Sequence, residues 1–423
     1  MSKKPSILII DNGQYTYAAK ALSDYFDVIY FNLWQSPAPF ISAEELGTGI
    51  KGVKKVLEWQ PYKNKVDLVL FTGLYFRGEA NDLIEDGIKI WNSGNMEAFE
   101  RDRGLFLDTL EDAGLPVPKT ERCQGLSALK KEIGDRKEVW VKVSEYRGLT
   151  ETFKHPDKRF SEAKFNYLER VFGIHKEKPM FFVQDPIKGF EYGLDTIVVN
   201  CELNENCLVG VEGKDSFWFG AFDKFENIPN PLKDCHTKFL NEVKKTDAKN
   251  YTGNLSTEVR VTDDNTHYFV DITLRLPMPP SASMFYVFEN LPEVILESTK
   301  GKNVPLKSRF KYVMECVITT DITDCANAIY FDDKFKEQIF LSGYSVQEGF
   351  TYKEPPEQLY GYAQYVGSVV GGGNTMQEAY DKLKEVCDNI SENNTNNIDF
   401  RMPQMKDILD TIVEIEKKTG YVF

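Results

Sequence analysis

Apolar positions in the first ninety residues switch between short continuous runs and helical spacing. Residues 6–10 form an apolar run ending in Asp11-Asn12-Gly13, residues 17–26 carry helical spacing, and residues 28–31 are apolar again. Residues 66–71 and 88–91 predict further strands, with a helix between them at 81–86. Such alternation predicts a parallel sheet covered by helices. Ligands of such sheets gather at the carboxyl ends of the strands, which singles out Asp11 to Tyr15 and Thr72 to Glu79. Gly13 and Gly73 serve equally well as turn residues.

A helix is predicted over residues 95–113, with Met96, Phe99, Phe106, Leu107, Leu110 and Ala113 on its apolar face. Gly114 stops it, and Pro116 and Pro118 prevent continuation. Arg101 and Arg103 lie among acids, the pattern of a solvated face. The run EVWVKV (138–143) alternates as a strand and sets Lys142 among apolar neighbours, either snorkelling or pointing at an anion. The loop after it, SEYRGLTETFKHPDKR, offers Ser144, Arg147, Gly148, Thr150 and Thr152 as phosphate contacts. Residues 180–184 and 191–199 are strand-like and joined by DPIKGF, with Glu191 placed to accept from a ribose hydroxyl or to lie exposed.

Residues 253–280, GNLSTEVRVTDDNTHYFVDITLRLPMPP, read as a hairpin around the turn DDNT. Glu258 and Asp271 stand 13 positions apart, one on each strand, and Arg275 follows four residues later. A hairpin of that length can bring both carboxylates to one site, where hard oxygen ligands suit Mg²⁺ against nucleotide phosphates. Taken alone, the same pattern fits an acid on each exposed strand face.

Beyond the hairpin, a helix is predicted at 285–296, strands at 312–319, 328–331 and 362–370, and helices at 375–390 and 403–418. Gly371-Gly372-Gly373 is expected to be a turn, since no GxxxxGK[ST] motif accompanies it and Thr375 with Glu378 makes a capping box.

Composition narrows the chemistry. A net charge of −14 over 423 residues and a pI near 5.0 argue against nucleic acid and anionic membranes as partners, leaving small molecules. The seven cysteines are scattered without a CxxC pair, and the four histidines lack metal-ligand spacing, which disfavours zinc, disulfide frameworks and histidine triads. No secretory leader or run of about 18 apolar residues is seen, so a soluble cytoplasmic protein is expected.

Read together, these segments resemble the ATP-grasp superfamily, and within it glycinamide ribonucleotide synthetases (phosphoribosylamine-glycine ligases). The run from VDLVLFTG to AGLPVP (66–118) is similar to the passage from the third strand of the N-terminal domain into the ATP-grasp domain. EVWVKV resembles the strand with a phosphate-contacting lysine, here Lys142. FFVQDPIKGFEYGLDT resembles the adenine hinge, with the base at Gln184 and Ile187 and the ribose at Glu191. The hairpin resembles the metal-binding pair, making Glu258 and Asp271 ligands and Arg275 the residue facing the transferred phosphate. YVGSVVGGGNTMQEAYDKLKEVCDNI looks like the C-terminal domain.

The resemblance implies α/β and α+β architecture, an ATP-grasp fold in three parts. A Rossmann-like N-terminal domain would span 1–94, the ATP-grasp domain 95–300 with a mobile lid at about 120–187, and a C-terminal α+β domain 301–423. It implies ATP with Mg²⁺ or Mn²⁺, and a carboxylate-amine ligase, monomeric or homodimeric, acting on small carboxylates and amines through an acylphosphate. An ATP-binding protein without turnover and an ATP-grasp phosphotransferase are the alternatives. Several positions depart from the family. Arg103 replaces a lysine, Thr273 an asparagine, SEYRGLTETF a glycine-rich phosphate loop with Arg147 as its cation, and TGLYFRGE the GPE substrate signature.

Overall fold

The computed structural model describes all residues except 1–2, 33–44, 146–151, 214–215, 322–326, 354–363, 395–397 and 401. The N-terminal apolar runs become a parallel sheet of β1 (Ser6–Asp11), β2 (Asp27–Asn32), β3 (Val53–Val56), β4 (Leu68–Phe71) and β5 (Ile90–Trp91), in the order β3-β2-β1-β4-β5. Strand order reverses between β1 and β4, where Asp11 and Thr72 meet. Burial on both faces explains why these strands read as continuous apolar runs.

A second, four-stranded antiparallel sheet contains β6 (Thr120–Gln124), β7 (Val139–Val143), β8 (Thr152–His155) and β9 (Met180–Gln184), ordered β6-β9-β7-β8. Val139, Val141 and Val143 point into its own core with Leu129, Leu168, Phe181 and Val183, so alternation turns Trp140 and Lys142 to the other face.

The largest sheet has ten strands. They are β10 (Phe190–Val199), β11 (Glu202–Leu203), β12 (Asn206–Gly213), β13 (Phe217–Lys224), β14 (Gly253–Val261), β15 (His267–Thr273), β16 (Tyr312–Thr320), β18 (Ile339–Leu341), β21 (Gln364–Gly373) and β22 (Ile398–Phe400). Its main path runs β15-β14-β10-β12-β13-β16-β21-β18, so strands on both sides of residue 300 share one sheet. The remaining strands, β17 (Asn327–Ala328), β19 (Tyr344–Gln347) and β20 (Phe350–Lys353), form a small separate sheet.

Three sequence expectations change. The helix foreseen over 95–113 is broken, with Glu97–Arg101 and Arg103–Asp112 separated at Asp102, whose backbone is extended. Asp102 caps the second helix by accepting from Gly104 N (2.9 Å) and Leu105 N (3.1 Å). The helix foreseen over 285–296 is likewise two, Ser281–Val287 and Leu291–Ser298, with Pro292 in the first turn of the second. Gly371, Gly372 and Gly373 end strand β21 rather than forming a turn. A Cβ on Gly371 would lie 2.2 Å from the Ala379 carbonyl oxygen, and one on Gly372 2.4 Å from the Phe310 ring. The glycines allow the Met376–Asn393 helix to lie close on the sheet, and its expected Thr375–Glu378 capping box is present.

Candidate active site

The site is built on the β14–β15 hairpin. Glu258 and Asp271 are direct cross-strand partners, so the two acids 13 residues apart are brought side by side. A bulge makes this work. Register shifts between Glu258 and Val259 because Val259 pairs with Phe269, leaving Val270 unopposed on β15. The extra residue reverses the alternation, so that Val270 and Asp271 are both half-buried while Phe269 and Ile272 are core. Without it, Asp271, Thr273 and Arg275 would be directed into the core.

Two cations from different elements face Asp271. Lys142 Nζ of β7 lies 3.6 Å from Oδ2, and Arg103 Nη1 lies 3.8 Å from Oδ1. Arg103 is 8% exposed, not part of a solvated face as its acidic neighbours suggested. The break at Asp102 places it there, and the flanking chain is stitched to the end of β7. Arg103 N donates to Ser144 Oγ (3.2 Å), Glu145 N to Arg101 O (2.8 Å), and Arg101 pairs with Glu145 (2.9 Å). Arg147 lies outside the described residues, as do Gly148 and Thr150.

At the other end of the same sheet face, Glu191 on β10 is paired in register with Arg260 on β14, and their side chains form an ion pair at 2.5 Å. Arg260 Nη1 also donates to Ile187 O at 3.3 Å, tying the connection after β9 to the hairpin. Sequence reading missed Arg260, although it stands two residues beyond Glu258 and therefore on the same strand face. Gln184 is buried, donating from Nε2 to Thr120 Oγ1 at 3.0 Å. Ile187 lines a cleft of about 510 Å³ with Pro118, Pro186, Lys188 and Tyr268.

This arrangement of sheets has solved counterparts. A phosphoribosylamine–glycine ligase from Thermotoga maritima superposes with a TM-score of 0.68 at 15% identity, covering 93% of this chain and 97% of that one. Biotin carboxylase from Campylobacter jejuni gives 0.59 at 14%, covering 90% and 91%, and an L-amino acid ligase from Bacillus licheniformis 0.58 at 15%, covering 92% and 98%. The chain has the ATP-grasp fold. No family model and no curated protein matches the sequence.

Within this fold Arg275 sits at the junction with the N-terminal sheet. Its Nε donates to Glu100 Oε1 (3.0 Å), and its Nη1 to Tyr15 Oη (2.9 Å) and Leu276 O (3.2 Å). Burial opposes its charge, but Tyr15 and Glu100 overcome this and hold its pKa above the ordinary value. Glu100 also accepts from Leu274 N at 2.6 Å. The switch-point residues singled out in the sequence thus reach the site through Tyr15. Tyr15 N is in turn held by Asp11, which also accepts from Tyr30 Oη (2.7 Å) and Thr72 Oγ1 (2.6 Å). Burial nevertheless raises the Asp11 pKa, against those hydrogen bonds. Asp11 is a fully buried scaffold for the turn, as is Glu97, which accepts from Tyr75 N, Phe76 N and Ser93 Oγ.

Among the described residues, no group of three or more His, Cys, Asp or Glu is placed to hold a metal, and no helix is long and apolar enough to cross a membrane. The donor set that is present suits a metal nucleotide. Two adjacent hard carboxylates match the one or two that Mg²⁺ takes when phosphates and water complete its shell. The facing ammonium and guanidinium stand beyond hydrogen-bond length from Asp271.

Proposed function

We propose that this protein is an ATP-dependent carboxylate-amine ligase, forming an amide through an acylphosphate with release of ADP and phosphate. The observation that carries this reading is the Glu258–Asp271 pair with Lys142 and Arg103 facing it, in an ATP-grasp fold. The names of two similar structures, phosphoribosylamine–glycine ligase and L-amino acid ligase, support the reaction type. On this reading residues 1–94 are the N-terminal domain, 95–300 the ATP-grasp domain with a lid at about 120–187, and 301–423 the C-terminal domain.

Glu258 and Asp271 would hold Mg²⁺ or Mn²⁺, which would supply positive charge against the charge developing on the transferred phosphate. Lys142 and Arg103 contact the phosphates, Gln184 and Ile187 orient the base, and Glu191 meets the ribose. Arg275 faces the transferred phosphate. A substrate carboxylate oxygen attacks the γ-phosphorus and ADP leaves. The amine, once it has lost a proton, then attacks the acyl carbon, phosphate leaves, and the protons the amine gives up go to solvent. Phosphoryl transfer of this kind asks the protein mainly for positioning and charge, which these side chains supply. No covalent enzyme nucleophile is involved.

Hydroxylamine trapping tests the proposal. With Mg-ATP and a panel of amino acids and dicarboxylates, at least one carboxylate is expected to yield a hydroxamate with matching ADP. ADP binding without turnover on any carboxylate would favour a binding protein, and a phosphorylated product stable to hydroxylamine would favour a phosphotransferase. Glu191→Ala is expected to raise the ATP requirement about tenfold with little change in maximal rate, because a ribose contact acts equally on ground and transition states. Arg260→Ala should do the same, since Glu191 loses the ion pair that aims it. Steady-state ATP titrations check both, and an unchanged half-saturation removes Glu191 from the nucleotide site.

A further inference from the structure

The sheet face that carries the metal pair continues inward to two more carboxylates, Asp195 on β10 and Glu315 on β16. Glu258 is directly opposite Gly193, which has no side chain, and Asp195 follows two residues later opposite Ser256. Asp195 is therefore the diagonal neighbour of Glu258 on one face, about 7–8 Å away. Asp195 is 3% exposed and Glu315 1%. Glu315 accepts from Ser283 N at 2.9 Å and shares a hydrogen bond with Ser368, while Asp195 shares one with Ser256.

Unlike the other buried acids, Asp195 is left incomplete. Asp11 and Glu97 are each bonded by several donors, and Glu100 by Arg275 and a backbone N–H. Asp195 Oδ1 is buried and meets no donor. Neither Asp195 nor Glu315 forms an ion pair with the described residues, and the two acids repel each other. Burial first, and then the charges of Glu315 and Glu258, push Asp195 up to about 8 despite the bond from Ser256. An orphaned carboxylate oxygen inside a protein is costly, and a cationic donor is what would satisfy it.

We propose that Asp195, backed by Glu315, receives the protonated amino group of the amine substrate, one small molecule's length from the Glu258–Asp271 pair. This rests on the ligase reading for its place in the reaction, but the binding site itself stands on the orphaned oxygen and the strand register. The substrate class is then a primary amine that is charged at neutral pH. An ammonium brings three donors, enough for the orphaned Asp195 oxygen and neighbouring hydroxyls, with the charge of Glu315 behind it.

The test is ligand-dependent thermal unfolding with saturating Mg-ADP, over amino acids, polyamines and amino sugars, each matched by its N-acetyl derivative. At least one amine is expected to raise the midpoint while its N-acetyl partner does not. Asp195→Asn should weaken that amine by about 30-fold, the size of a lost charge-assisted contact. If Asp195→Asn does not fold, Glu315→Gln and the amine against N-acetyl comparison in the wild type decide. Stabilisation by none of the amines, equal stabilisation by the N-acetyl forms, undiminished binding in the variants, or an effect of K⁺ in place of amines overturns the proposal. Hydroxamate formation reports separately on the ligase chemistry. Amine binding without any hydroxamate would sink the ligase reading and leave the ammonium site standing.

Discussion

Asp271→Asn is expected to lower turnover by about 10³-fold while leaving the fold in place, the range seen when a preorganised charge at a transferring group is removed. Asparagine keeps the shape of the side chain, and the residue is only partly buried, at 22% side-chain exposure. The ion pairs it loses are long, 3.6 Å to Lys142 and 3.8 Å to Arg103, beyond hydrogen-bond length, so the fold gives up less than it would with a bonded pair. On the proposed reading function suffers more, because one substitution would remove a hard metal ligand and the counter-charge of the two cations that face it. Carboxylate-dependent ADP release and thermal unfolding, measured on the same preparation, check the two halves. Turnover within about tenfold of the wild type would remove Asp271 from the metal site.

Arg275→Met is expected to do the opposite, damaging the fold first. Glu100 is 3% exposed and relies on Arg275 Nε and Leu274 N. Removing the guanidinium leaves a buried carboxylate uncompensated, at a cost of about 3–5 kcal/mol in denaturant unfolding. The double variant Glu100→Gln, Arg275→Met should recover most of that loss, because both charges are gone. It should not recover turnover if Arg275 also faces the transferred phosphate. Recovery of both stability and turnover would make Arg275 a structural residue only. Lysine is a poor replacement, since it lacks the fork that reaches Glu100 and Tyr15 together.

His236 bonds Thr257 Oγ1 at 2.7 Å and Leu232 O at 2.6 Å, and burial lowers its pKa to about 4, so it stays neutral as a packing residue.

Local pattern alone determined a good deal of this protein. The change of period in the first ninety residues encodes the parallel sheet, because strands covered on both faces must be apolar throughout. EVWVKV encodes its own two faces, which is why Lys142 could be picked out before any fold was known. The two strand-like runs around DDNT encode a hairpin with an acid on each strand, and Thr375 with Glu378 encodes a helix start. Each of these is a relation between near neighbours along the chain.

Only the tertiary structure decided the rest. Which face Asp271 takes depends on the unopposed Val270, and a bulge is defined by the partner strand rather than by the strand that carries it. Arg103 is buried because Asp102 breaks a helix whose apolar periodicity runs straight through it, and because Ser144 and Glu145, just past the end of distant strand β7, hold the break. The hairpin of β12 and β13 went unforeseen. Gly220 on the same strand and Gly210 on the neighbouring one interrupt the pattern to make room for the Trp218 ring, which lies across both. Arg260 and Asp195 have meaning only through their registers with Glu191 and Ser256, 69 and 61 positions away in the chain. Periodicity tells which residues share a face, whereas the sheet's register decides which faces meet, and this site is made where they meet.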